Sequence, residues 1–152
     1  MVNFIICDDN TEVTTQIKNF ISDYMMKNSI EYKTHVFNDY DDKFMKLMNQ
    51  KLPFKIYILD IEVPSRSGID IARTIRNNDS DSIIIFLTGH EELGMTILKD
   101  EIMCLSFINK FDNCDAKMER TITKALKMLN KKIKVKLHNI LKNQKLASYR
   151  SK

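Results

Sequence analysis

A chain of 152 residues with 43% hydrophobic and 29% charged side chains is long enough for one domain with a real core, too short for two ordinary ones, and too apolar to be disordered. No apolar run approaches the roughly 18 residues of a membrane span, and no basic segment precedes the short apolar stretch at the N-terminus, so a cytoplasmic protein without a membrane partner is expected. The net charge of +4 hides an asymmetry: residues 130–152 carry eight basic side chains and no acid, leaving 16 basic against 20 acidic groups in residues 1–129. Body and tail therefore have different partners.

In chain order, Phe4-Ile5-Ile6-Cys7 is an apolar run that ends on Asp8-Asp9 and reads as a buried strand. Asn10 or Thr11 can cap the helix that follows, whose Val13, Ile17, Phe20, Ile21 and Tyr24 recur at helical spacing. Tyr32 to Phe37 is a second strand of mixed character, and Asp39 precedes an amphipathic helix marked by Tyr40, Phe44, Leu47 and Met48. Lys55 to Leu59 is a third strand, ending on Asp60. The loop after it holds Glu62, Pro64 and Gly68, and Ile69, Ala72 and Ile75 mark a helix ending near Asn77-Asn78. Ile83 to Leu87 runs into Thr88, and a weaker helix is expected over Glu91 to Asp100, with Met95, Ile97 and Leu98 as its apolar positions and Gly94 as its weak point. Leu105 to Asn109 runs into Lys110. Asp112 and Asp115 resemble an N-terminal cap for a last helix striped by Met118, Ile122, Ala125, Leu126 and Leu129. That stripe continues in phase through Ile133, Leu137, Ile140 and Leu141, against a rival strand reading in which Ile133, Val135 and Leu137 alternate with lysines.

Strands alternating with helices imply a (βα)5 chain wound into a five-stranded parallel sheet covered on both faces. The strand ends then bring Asp8, Asp9, Asp60, Thr88 and Lys110 to one rim, where open α/β sheets place their chemistry. Adjacent acids with a third on a neighbouring strand suit a hard cation such as Mg²⁺, and an ammonium and a hydroxyl beside it suit a phosphoryl group. Singly, Asp8 or Asp9 reads as a helix cap, Lys110 as a surface lysine and Phe107 as core. The three cysteines have no CxxC spacing, and His35 and His138 lack a second ligand on their elements, so no zinc site is expected.

The set resembles the receiver domain of two-component response regulators over roughly residues 1–129, with Pro64 and Gly68 four and eight positions after Asp60 as in that family's loop. The resemblance implies a flavodoxin-like fold and a phosphorelay role, in which Asp60 takes a phosphoryl group from a sensor histidine kinase. Asp9 would ligate Mg²⁺ directly, Asp8 through water, and Glu62 through its backbone carbonyl. Lys110 and Thr88 would bind the phosphoryl oxygens, Phe107 would be the aromatic that follows the threonine, and Glu62 and His90 would tune the phosphoryl lifetime. Self-phosphorylation and self-hydrolysis would be its whole catalysis. A homodimer through the fourth and fifth helices is implied, with DNA met through an output domain outside residues 1–152. Residues 130–152 read as a basic extension with three open roles: a solvated helix face, a nonspecific nucleic-acid contact through phosphate neutralisation, or a linker to that domain. Phe111 stands where the family usually has proline, a departure shared with receivers of LytTR-type transcription regulators. A degenerate interaction module and a Mg²⁺-dependent phosphohydrolase, with Glu62 as proton donor, are the rival readings.

Overall fold

The computed structural model describes residues 1–99 and 101–151. In order the elements are β1 (Val2–Cys7), α1 (Thr11–Lys27), β2 (Tyr32–Phe37), α2 (Asp42–Met48), β3 (Lys55–Leu59), α3 (Gly68–Asn78), β4 (Ile83–Thr88), a 3₁₀ turn (Glu91–Leu93), α4 (Gly94–Lys99), β5 (Ser106–Asn109) and α5 (Cys114–Arg150). The strands form one parallel sheet in the order β2-β1-β3-β4-β5. The three inner strands are buried at every residue, whereas the edge strands β2 and β5 are only partly so. That difference explains why the inner strands read as continuous apolar runs and β2 as mixed.

Alternation along each strand divides the core in two. Phe4, Ile6, Ile56, Ile58, Ile85 and Leu87 face Ile17 and Ile21 of α1 and Ile122 of α5. Ile5, Cys7, Tyr57, Leu59, Ile84 and Phe86 face Phe44 of α2, Ile71 and Ile75 of α3 and Ile97 of α4. Cys7 is thus a core residue on the second face, and burial pushes its thiol pKa upward.

Helix starts follow local chemistry. The Asn10 side chain accepts from the N–H groups of Glu12 and Val13, Asp41 from Phe44, and Ser67 from Ile69. Three expectations need correction. The helix expected from Asp39 begins at Asp42, so Tyr40 precedes it. The helix expected over Glu91 to Asp100 is a 3₁₀ turn followed by six α-helical residues from Gly94; Asp100 and the side chain of Leu98 lie outside the described residues. Finally, Asp112 and Asp115 do not cap α5. The cap position is Asn113, left-handed at φ 48° and without a side-chain cap bond, while Asp112 takes the Lys117 ammonium at 3.1 Å and Asp115 lies inside the first turn.

The tail is helical. α5 continues without a break past Leu129, its last buried residue, so the helical stripe prevails over the strand alternation. Lys132 still reaches the body, donating to the Asp81 carbonyl at 2.7 Å; residues 133–150 are exposed, although Ile133, Val135 and Lys136 border grooves against the body. Lys152 lies outside the described residues. No helix among those described is long and apolar enough to cross a membrane.

Candidate functional site

The C-terminal ends of β1, β3, β4 and β5 meet at one rim, held in step by the registers Cys7↔Leu59 and Thr88↔Asn109. Carboxylate oxygens of Asp8, Asp9 and Asp60 lie within 4.8 Å of one another, with Asp8 and Asp60 buried and Asp9 exposed. The Lys110 ammonium enters from β5 and donates to Asp8 Oδ2 at 2.8 Å and to Asp60 Oδ2 at 3.2 Å. Asp8 Oδ1 also accepts from the Asn10 N–H at 2.9 Å, and Asp60 Oδ1 from the Glu62 N–H at 3.4 Å.

The electrostatics follow from this crowding. Burial, reinforced by Asp8, raises the Asp60 pKa to about 6, against the opposing pull of Lys110 and the Glu62 N–H. At Lys110 burial works downward, but the bond to Asp8 and the charges of both aspartates outweigh it and the net shift is upward. One half-buried cation thus faces two buried anions, with a third anion at the rim. Such a site carries surplus negative charge and several oxygens, the donor set that suits a hard divalent ion.

Thr88 is fully buried, and its Oγ1 accepts from the His90 N–H at 3.2 Å. The His90 ring lies between Glu62, 3.0 Å from Nε2, and Glu92, 3.2 Å from Nδ1, so the loops after β3 and β4 touch at the rim. Phe107 is half-buried against the α3–α4 side of the core, its ring facing Gly94 at a distance that would leave a Cβ there in ordinary van der Waals contact. His35 binds Asn3 and His138 is exposed, and neither joins a metal-like cluster among the described residues.

The position of the missing proline is resolved by an alternative turn. The Phe111 N–H, which proline would lack, donates to Asn109 Oδ1 at 2.9 Å, and the Asp112 N–H reaches the Asn109 carbonyl at 3.3 Å. The Phe111 ring is 81% exposed and lies over Gly89, next to Thr88.

Two residues at this rim escaped the sequence reading. The Tyr40 hydroxyl donates to the Asp60 backbone carbonyl at 2.6 Å, and Asp39 Oδ1 accepts from Ser65 Oγ at 2.6 Å. Periodicity placed Tyr40 on a helix because its spacing to Phe44 matches one turn. No local signal announces a bond that spans 20 residues.

A family model described as the response regulator receiver domain matches residues 4–134. The sensory transduction protein LytT of Oceanobacillus iheyensis is 41% identical over 56 residues, a stretch that takes in 36% of this chain and only 22% of that relative's length. Among solved structures, the response regulatory domain of protein mrkE from Klebsiella pneumoniae superposes with a TM-score of 0.71 at 19% identity, covering 86% of this chain and 99% of that one. A receiver domain protein from Methanospirillum hungatei gives 0.69 at 17% identity, covering 86% and 98%. The Thermotoga maritima response regulator TrrA, solved in complex with Mg²⁺ and BeF, gives 0.66 at 22% identity, covering 82% and 99%. The structural likenesses establish the fold, and the family match, spanning most of the sequence and all four strand ends just described, establishes that this chain belongs to the response regulator receiver domains of two-component systems.

Proposed function

We propose that Asp60 accepts a phosphoryl group from a phosphohistidine of a sensor histidine kinase in the cytoplasm. The observation that carries this reading is Lys110, whose ammonium spans Asp8 and Asp60 inside a three-carboxylate cluster. In the transfer an Asp60 carboxylate oxygen attacks phosphorus as the P–N bond to the donor histidine breaks. The bonding pair returns to the imidazole nitrogen, and an acyl phosphate P–O bond forms.

Three carboxylates with converging oxygens fit Mg²⁺; Asp9 and Asp60 would hold it directly, Asp8 through water, and the Glu62 backbone carbonyl would add the remaining protein ligand. When bound, the ion neutralises charge on the phosphoryl oxygens. Lys110 adds a second positive charge to those oxygens from its half-buried position. Thr88 gives up its turn bond to His90 to donate to the phosphoryl group, and Phe107 follows it inward, biasing the fourth and fifth helices toward self-association. Glu62 and His90, paired across the rim, set the dephosphorylation rate; phosphoryl lifetimes unchanged in Glu62→Asn and His90→Ala would remove that role. The output reading, transcription regulation through a DNA-binding domain outside these residues, rests on the LytT match and on Phe111. Turnover serves signalling: hydrolysis of the acyl phosphate restores the Asp60 carboxylate and releases inorganic phosphate.

The test is intact mass after incubation with Mg²⁺ and acetyl phosphate, on wild type and Asp60→Asn. The expected result is one labile phosphoryl adduct on the wild type alone. Absence of an adduct at any Mg²⁺ concentration overturns the reading and leaves a phosphorylation-independent interaction module.

A further inference from the structure

The loop from Asp60 to Gly68 is held at its base and at its tip by the dipeptide Asp39-Tyr40, which the chemistry above does not employ. At the base of the loop, the buried Tyr40 hydroxyl donates to the Asp60 carbonyl at 2.6 Å. At the tip, Asp39 Oδ1 accepts from Ser65 Oγ at 2.6 Å and from the Ser65 N–H at 3.2 Å. Between these points the loop folds on itself through the Glu62↔Ser67 bridge and the Gly68 N–H bond to the Ile61 carbonyl at 2.7 Å. Asp39 is itself fixed to the Tyr40 N–H at 2.9 Å, so the two anchors share one rigid turn. Asp60 and Ser65, at the base and the tip of one loop, are thus both bound to adjacent residues of a different crossover.

We infer that Asp39-Tyr40 is a positioning clamp for the cation site: it fixes the Asp60–Ser65 backbone, and with it the Asp60 carboxylate and the Glu62 carbonyl assigned above to the ion. This rests on the phosphoacceptor reading of the rim. A carbonyl turned by its own loop's motion is a poor ligand, and groups that orient ligands govern metal affinity nearly as strongly as the ligands do. Both anchors hold at neutral pH. The Ser65 bonds keep the Asp39 carboxyl below the usual carboxylate range, and burial keeps the Tyr40 phenol protonated as a donor.

The experiment titrates Mg²⁺ into the full chain by calorimetry and follows acetyl phosphate adduct formation across the same Mg²⁺ range. Tyr40→Phe and Asp39→Ala are each expected to weaken Mg²⁺ binding by about tenfold. The Mg²⁺ concentration for half-maximal adduct formation should rise equally, with the plateau unchanged. Asp39→Asn, which keeps an acceptor oxygen for Ser65, should recover part of the loss. Thermal midpoints without Mg²⁺ report stability separately. Lower midpoints with unaltered Mg²⁺ affinity in both variants would make the dipeptide structural only and overturn the clamp. If the wild type itself neither binds Mg²⁺ nor forms an adduct, the phosphoacceptor reading falls first, and the clamp with it.

Discussion

At Asp60 the needs of chemistry and of folding pull in opposite directions. Burial and Asp8 raise its pKa from 3.8 to about 6. A carboxyl whose folded pKa exceeds its unfolded value binds more protons when folded, so stability falls as pH rises between 3.8 and about 6, and the loss is complete above that window. The upper size of the effect is about 3 kcal/mol. Asp60→Asn is therefore expected to melt above the wild type at pH 7.5, with the gap closing toward pH 4; a gap independent of pH would refute the assignment. Mg²⁺ should close part of the same gap at pH 7.5 by stabilising the wild type more than the variant. Two glycines give a second prediction at this scale. A Cβ on Gly68 would sit 2.2 Å from the Asp60 carbonyl oxygen, which the Tyr40 hydroxyl and the bond of the Asp60 N–H to the Cys7 carbonyl hold in place. A Cβ on Gly89 would sit 2.4 Å from the far edge of the exposed Phe111 ring, which can swing away. Gly68→Ala should cost about 3 kcal/mol or more in denaturant unfolding, and Gly89→Ala under about 1 kcal/mol. Equal costs would mean that Phe111 is pinned.

Among the elements, α5 combines two regimes in one helix. Up to Leu129 it buries Met118, Ile122 and Ala125 against the sheet; beyond Lys132 it is a helix largely in water. Helices of that kind draw most of their stability from packing, and this half has little. Deleting residues 138–152 should shift unfolding by less than about 0.5 kcal/mol, with amides beyond 137 exchanging fast and those of 118–129 protected. Deletion from Leu129 onward should instead cost about 2 kcal/mol, the worth of one buried leucine side chain. Protection of residues 140–150 in the intact chain would show a partner on that face. The same helix shows what one sequence discloses. Its stripe from Met118 to Leu141 was legible because a 3.6-residue period is a local property, as were the buried runs of β1, β3 and β4. The start of α5 was not, because Asn113 enters it through a left-handed backbone while both candidate acids found other roles. At the site, the five strand-end residues were legible from position alone. The Asp39-Tyr40 contacts were hidden because hydrogen bonds between crossovers leave no periodic trace.

The whole molecule is an acidic body bearing a basic rod. Residues 1–129 carry 16 basic and 20 acidic groups, residues 130–152 eight basic groups and no acid. At an ionic strength of about 0.1 M, charges more than roughly 10 Å apart are screened from one another, so the outer rod acts independently of the body. Its charges do not all act together, however. At 100° per residue, Lys131, Lys134, Lys142 and Lys145 share one side of the helix, whereas Lys132, Lys136 and Arg150 lie on the other side of the apolar stripe. A straight polyanion can therefore meet about four of them at once. Nonspecific binding to duplex DNA should accordingly weaken with salt along a log–log slope of about −3.6, at 0.9 per phosphate neutralised. The acidic body contributes nothing to that slope and opposes the contact. Fluorescence anisotropy on random-sequence duplexes at several salt concentrations measures it, with the chain lacking residues 138–152 as control. That control loses Lys142, Lys145, Arg150 and Lys152, and its slope should fall by about half. A slope near −7 for the intact chain would require every cation to reach phosphate together, which a straight helix forbids, and would mean that the rod unwinds on DNA. An unaltered slope in the shortened chain would place the contact on the body, against the sign of its charge.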